Sequence, residues 1–329
     1  VSMKSESELL YLRPAGQAVF KDTGITKFGE RLKAWNGEPF QGYGLIGVPL
    51  SKPSISHSGA AFAPEVMRAV FKNTATFAVE DGIDLAETPI VDFGDILMHV
   101  TDVRECHTRI TSTIKQVVCA NPDVIPIILG GDHSITCPAL SGFKAAKGQT
   151  VGVIQFDAHH DLRNREDGGP SNGTPFRGLI ESGTLAPEHL IQIGIRNFAN
   201  SRVYYDYAVQ HGVNVYTMKD VREKGVMAIV KEAYEKLAKA VDIVYLSVDI
   251  DVLDQAYAPG CPAISPGGMT TDDLFAAVKW LGGQEKTQAI DIVEIDPKQD
   301  FRDMTSRVGV YTFLAFLIGK EKRRRFNVK

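Results

Sequence analysis

The chain has 329 residues, 44% hydrophobic and 23% charged, with a formal net charge of −4. This is ordinary globular usage, which excludes a largely disordered chain and gives no overall bias toward nucleic acid or an anionic membrane. No apolar run approaches the ~20 residues of a membrane span.

Near the start, Lys4 and Glu6 are followed by only a short apolar stretch, which does not read as a secretory leader. Cys106, Cys119, Cys137 and Cys261 form no C-x-x-C pair, so reduced thiols in a cytoplasmic protein are expected.

In chain order, a strand is predicted at 44–49 (GLIGVP), then helices at 64–71 and 101–119. Strands follow at 125–129 (IPIIL), 151–156 (VGVIQF), 190–195 (LIQIGI) and 214–217 (NVYT). A helix at 221–240 precedes a strand at 243–248 (IVYLSV), and a helix at 271–282 precedes the last strand, 289–295 (AIDIVEI). Most of these strands are continuous apolar runs rather than alternating ones, as parallel strands covered on both faces should be. The alternation of strand and helix predicts a three-layer α/β/α fold with a central parallel sheet. With no repeat and no linker rich in Pro, Gly or Ser, residues 1–329 read as one domain with short flexible ends. The basic run 320–325 reads as a solvated tail.

Polar groups follow the predicted strands: Gly-Gly-Asp-His after Leu129, Asp-Ala-His-His-Asp after Phe156, Asp-Ile-Asp after Val248, and Glu-Ile-Asp-Pro within the last strand. Ligand sites of parallel sheets lie beyond the carboxyl ends of the strands, so these clusters can converge. On extended backbone Asp157, His159 and Asp161 would face one centre, with His160 turned away; Asp249 and Asp251 would repeat the device. His133 follows a Gly-Gly turn that permits close backbone approach. Together His133, Asp157, His159, Asp161, Asp249 and Asp251 hold four carboxylates and two imidazoles. Two divalent cations balance that charge and one does not. Carboxylate with imidazole favours Mn²⁺, with Fe²⁺, Co²⁺ and Zn²⁺ as alternatives. A lone Asp-x-Asp is usually a cap or turn, and a lone His after Gly-Gly a turn residue. A buried strand running into Asp157, His159 and Asp161 is different, because such groups need a cation to pair them.

In GGDHS (130–134), FDAHHD (156–161), SVDIDVLD (247–254), APGCPAISPGG (258–268) and EIDP (294–297), the sequence resembles the ureohydrolase family of arginase, agmatinase and formimidoylglutamase. The resemblance implies a single α/β/α domain and two metal positions. The first would be His133, Asp157, Asp161 and Asp249; the second Asp157, His159, Asp249 and Asp251, with Asp157 and Asp249 bridging. It further implies a metal-held hydroxide as nucleophile, Asp161 as its proton shuttle, and Glu294 gripping the substrate's cationic NH₂ groups. A homo-oligomer is also implied.

Three departures bear on the substrate. Asn172, in Asn-Gly-Thr-Pro-Phe, stands where arginases and agmatinases carry histidine. Arg163 stands where arginases hold the substrate carboxylate with a neutral amide, and Arg177 follows in the same loop region. Residues 197–200 (NFAN) lack the carboxylate that receives an α-ammonium. Arg163, Asn172 and Arg177 are thus candidate substrate contacts. The resemblance, which extends to 49–52 and 300–307, is strongest to the branch that hydrolyses N-formimidoyl-L-glutamate, a small diacid. Other ureohydrolase substrates, and a non-catalytic metal-stabilised subunit, are the competing readings. His57 reads as a solvated loop histidine, and Cys137 and Cys261 as neutral thiols rather than nucleophiles.

Overall fold

The computed structural model describes residues 22–327. Nine strands form one sheet: β1 (Lys33–Ala34), β2 (Gly42–Gly47), β3 (Ile90–Asp95), β4 (Val124–Leu129), β5 (Val151–Phe156), β6 (Leu190–Ile195), β7 (Asn214–Thr217), β8 (Ile243–Asp249) and β9 (Thr287–Val293). Their spatial order is β1-β3-β2-β4-β9-β8-β5-β6-β7, and every pairing in it is parallel. β8 and β9, last in sequence, are inserted between β4 and β5. The four strands that end in polar motifs therefore lie side by side.

Two apolar cores flank the sheet. One joins it to helices Ala63–Phe71, Val226–Ala240, Thr271–Gly282 and Met304–Asn327. The other joins it to Val103–Ala120, Thr136–Lys147 and Pro175–Glu181. The three-layer α/β/α architecture expected from the sequence is present. Continuous apolar strands form because each side chain, whichever face it takes, meets a helix. Among the described residues no helix is long and apolar enough to cross a membrane.

Several expectations need correction. The helix expected at 221–240 is two, Met218–Lys224 and Val226–Ala240, broken at Gly225, whose φ is +81°. A positive φ is cheap only for glycine, so the chain turns there. The run 320–325 is not a solvated tail but part of the helix Met304–Asn327. Lys320 and Glu321 are buried in it. Lys320 donates to the carbonyls of Thr287 and Gln284. Glu321 accepts from the Tyr43 hydroxyl at 3.1 Å and from Arg324 Nε at 2.9 Å. Strand β3 and helix Thr136–Lys147 had no expectation: β3 (IVDFGD) is too polar and glycine-interrupted, and the helix starts inside a motif read as loop.

Candidate metal centre

The Gly-Gly turn after β4 behaves as its composition requires. A Cβ on Gly131 would stand 1.8 Å from the Leu50 carbonyl oxygen, and one on Gly130 2.5 Å from Val293 Cγ1. The turn thus packs into β9 and the loop after β2, and delivers His133 to the sheet's carboxyl edge. Asp157, His159 and Asp161 converge as expected, but not by alternation along extended backbone. The chain bends after Phe156, and Asp161 has φ +52°. Asp249 ends β8, and Asp251 lies in the 3₁₀ turn Ile250–Val252. Turns aim these side chains where alternation was expected to. Glu294 lies just past β9 rather than within it, at φ +63°.

Two groups of donors result. His133, Asp157, Asp161 and Asp249 form one, and Asp157, His159 and Asp251 the other; in each the ligand atoms lie within 4.8 Å of one another. Asp157 belongs to both. His133 Nδ1 is 2.9 Å from Asp161, 3.1 Å from Asp157 and 3.2 Å from Asp249. His159 Nδ1 is 2.7 Å from Asp251 and 3.5 Å from Asp157. Backbone amides fix the carboxylates: His159 N donates to Asp157, Asp251 N to Asp249, and Ala158 N to Asp251.

Whether a cation fits can be decided from the His133 ring. Ser247, Tyr245 and Thr136 each donate a hydroxyl proton to buried Asp291 at 2.8 Å. The one Ser247 proton is used there, so its oxygen accepts from His133 Nε2, 2.9 Å away. Nδ1 is then a bare lone pair, buried without a hydrogen-bond partner and facing three carboxylates. Lone pair against anion is repulsive unless a cation lies between them, and such a relay is how proteins orient a metal-binding imidazole. Without a metal, a proton fills the gap. Burial alone would lower the His133 pKa, but hydrogen bonds to Asp157, Asp161 and Asp249 hold it well above 6.5. Burial likewise lowers His159, yet Asp251 and Asp157 carry it up to about 12. Burial, then repulsion from Asp251 and Asp157, raises Asp249 well above the usual carboxylate range. The donor set fits divalent cations at both groups.

Asp291→Asn should weaken metal binding at the His133 group by about 10–100-fold, the usual cost of losing an orienting partner. Metal titration of the purified variant checks this, and unchanged affinity would show that the relay is only structural.

Other supporting residues were not expected from the sequence. Gln155 Nε2 donates to Asp157 at 2.6 Å, Gln192 Nε2 donates to Gln155 at 2.7 Å, and His160 Nδ1 lies 2.7 Å from Gln192 Oε1. His160 is accordingly turned away, as expected. Arg196 is buried and donates to the carbonyls of Asp251, Leu253 and Ser265. Gln155, Gln192 and Asp291 each interrupt an otherwise apolar buried strand, and that is the signal that could have found them.

Glu294 is 4% exposed. Its Oε1 accepts from His133 N at 2.7 Å and Asn172 Nδ2 at 3.1 Å, while Oε2 has no partner. Burial, then the charge of Asp132, raises its pKa to about 8. Glu294, Asp161, His159, Asp251, Asn172 and Arg163 line one cavity of about 140 Å³. This opens beside an outer cavity of about 920 Å³, and Ile55, Arg163 and Tyr204 line both. Asn172 is at the site, but its amide is committed to Glu294 and to the 51–59 loop through Ile55 N and Ser54. Arg163 is exposed at the mouth. Arg177 is not at the site: its Nε is 2.5 Å from Glu181, and its guanidinium lies 3.9 Å from the centre of the Tyr207 ring. It begins a helix, and the helical turn carries it off the loop that sequence proximity suggested. His57 is exposed and lines neither cavity. Burial pushes the Cys261 thiol well above 9, which keeps it neutral.

A parallel α/β sheet carrying two joined carboxylate–imidazole groups, beside a buried carboxylate with one unpartnered oxygen, is the arrangement of a metal-binding hydrolase. The chain belongs to the arginase family, which residues 41–319 match. It is 54% identical over 303 residues to a formimidoylglutamase of Halalkalibacterium halodurans, covering 92% of this chain and 95% of that one. It is 48% identical over 309 residues to a formimidoylglutamase of Bacillus subtilis, covering 94% and 96%. The crystal structure of the formimidoylglutamase from Bacillus subtilis superposes with a TM-score of 0.92, covering 94% of this chain and 96% of that chain.

Proposed function

We propose that the protein hydrolyses N-formimidoyl-L-glutamate to L-glutamate and formamide in histidine degradation, with two divalent metal ions, Mn²⁺ by preference. The observation that carries this reading is one cavity lined by four of the metal-type donors, His159, Asp161, Asp249 and Asp251, and by Glu294 with its unpartnered Oε2. The names of its relatives, at 54% and 48% identity, supply the substrate. His133, Asp157, Asp161 and Asp249 would hold one ion, and Asp157, His159 and Asp251, with Asp249 as a second bridge, the other. Bound there, the ions supply an ionised water at neutral pH by lowering its pKa from 15.7 toward about 7.

The chain's own residues do the rest. Glu294 accepts hydrogen bonds from the amidinium NH₂ and fixes the reacting carbon above the donor set. Its Oε1 is tied to His133 N and Asn172, so only Oε2 is left for substrate. Asp161, buried at the same cavity, takes the proton of the attacking water and returns it to the leaving α-nitrogen. Water adds to the amidine carbon, the bond from that carbon to the glutamate nitrogen breaks, and formamide leaves. Arg163, at the mouth, would meet a substrate carboxylate. The free cysteines fit a reducing, cytoplasmic setting, and a homo-oligomer is expected from the resemblance.

The decisive assay is the Mn²⁺-loaded protein against formimidoylglutamate, arginine and agmatine, with products identified. Formamide from the first and scarcely any urea from the others is the expected result; comparable turnover of agmatine rejects the substrate while leaving the metal site standing. Arg163→Ala should raise KM for the diacid more than for a mono-carboxylate analogue, because arginine's fork matches a carboxylate. Equal changes would remove Arg163 from the substrate contacts.

A further inference from the structure

A separate cavity of about 310 Å³ is lined by Arg104, His107, Ser134, Cys137, Arg165 and Thr174, among others. None of the metal-type donors lines it, nor does Glu294. Two of its walls belong to loops of the candidate metal centre, since Ser134 follows His133 and Thr174 stands two residues after Asn172. It adjoins the outer cavity, with which it shares Arg104, Gly169, Pro170, Ser171 and Thr174.

Its charge is one-sided. No carboxylate is among its lining residues. Among the described residues Arg104 forms no ion pair. Asp102, close in sequence, is used to cap the amides of Arg104 and Glu105. Arg165 Nη1 stands 3.7 Å from Glu181 Oε2, a long pair at the exposed rim, while Arg177 Nε holds the other oxygen, Oε1, at 2.5 Å. The Arg165 side chain is partly exposed, with its guanidinium against the cavity wall at Gly178. A Cβ on Gly178, which lines the cavity, would lie 3.9 Å from Arg165 Cζ and 3.1 Å from Cys137 Sγ. Burial, then the Arg165 charge, depresses His107 to about 4. His107 is therefore a neutral hydrogen-bonding group near pH 7. Its Nε2 lies 3.4 Å from Ser134 Oγ, a contact long enough to yield to a better partner.

We propose that this cavity binds a small oxyanion, a phosphate or carboxylate group, between Arg104 and Arg165 with Ser134 and His107 as hydrogen-bond partners. The guanidinium fork matches either anion bidentately. At about 30 Å³ per water, the space takes such a group with a short tail and several waters. Occupancy braces the segments that present His133 and Asn172, which gives a free anion a route to influence the catalytic loops without entering the catalytic cavity.

Cys137 serves as a reporter inside the cavity. Burial, opposed by Arg165, raises its thiol to about 11, so alkylation is best followed at mildly alkaline pH, where more thiolate is present. The metal-loaded protein is treated with iodoacetamide, and modification of Cys137 is timed by peptide mass spectrometry. Inorganic phosphate and L-glutamate are run as separate arms. Millimolar anion should slow Cys137 alkylation several-fold, and the arm with the lower half-protection concentration identifies the source. Arg165→Gln should abolish the protection. Arg104→Gln, at an exposed helix position, provides a second variant should the first fail to fold. Absence of protection by either anion overturns the site. So does protection that persists unchanged in both variants, since the anion is then acting at the metal centre.

Discussion

Asp157→Ala should bring bound metal from about two ions per chain to nearly none, and activity should fall to background with it. Asp157 is the one residue common to both donor groups. It is also pinned twice, by Gln155 Nε2 and by His159 N, each at 2.6 Å, so both of its oxygens are held in fixed positions. Asp251→Ala touches one group only and should leave about one ion bound. Asp249→Ala tests the second bridge: loss of one ion matches the donor grouping, and weakening of both matches the bridging role implied by the family resemblance. Metal analysis after dialysis distinguishes these results. Thermal unfolding gives an independent readout. A ligand at 100 times its Kd stabilises the folded state by about 2.7 kcal/mol, so added Mn²⁺ should raise the wild-type Tm and leave Asp157→Ala unmoved. Two ions retained in Asp157→Ala would overturn the shared-ligand arrangement, and one ion in the fully active wild type would overturn the binuclear reading.

Why were the donors legible while much around them was not? Hydrophobic strands and their polar ends are local signals. The runs 151–156, 190–195 and 214–217 match β5, β6 and β7 residue for residue; in the first two, a nearly continuous apolar stretch leaves little choice of bounds. The donor cluster is expected on chemical grounds, since four carboxylates in a dry pocket call for cations, and its division between two metal positions is what the family resemblance implies. What the sequence hid is non-local. The relay from Asp291 through Ser247 to His133 joins three different strand ends and turns, with separations of up to 114 residues between hydrogen-bonded partners. Nothing at Asp291 itself announces which strand will lie beside it. Arg177 differs for another reason: its backbone does lie beside the site, donating to the Asp161 carbonyl at 3.4 Å, but its helix directs the side chain to Glu181 and Tyr207. The run at 320–325 misled because charge was read as solvation. Long side chains can bury their stems and satisfy their heads on carbonyls and carboxylates, as Lys320 and Glu321 do.

Glu294→Gln should cut kcat/KM by about 2–5 kcal/mol, the cost of stripping one partner from a desolvated charge pair, which is roughly 30- to 3000-fold. The substitution keeps the shape and can keep both contacts on Oε1, with His133 N and Asn172 Nδ2. It changes what stands at Oε2, the one oxygen with no partner in the protein. An amide nitrogen there donates rather than accepts, so it repels the amidinium it should hold. Metal content should stay at the wild-type value, because Glu294 belongs to neither donor group. The loss should also be specific. If Glu294 binds the cationic amidine, substrates with and without a second carboxylate lose by the same factor, in contrast to Arg163→Ala. The buried carboxylate itself argues for this role. Burial and the Asp132 charge push its pKa up to about 8, so an unliganded Glu294 is largely protonated at neutral pH, and a bound cation draws the proton off and restores the acceptor. In the variant nothing remains to ionise, and any component of the pH profile that depends on Glu294 should disappear. Near-normal kcat/KM, with an unchanged pH profile, would make Glu294 a structural carboxylate and move amidine recognition elsewhere in the cavity.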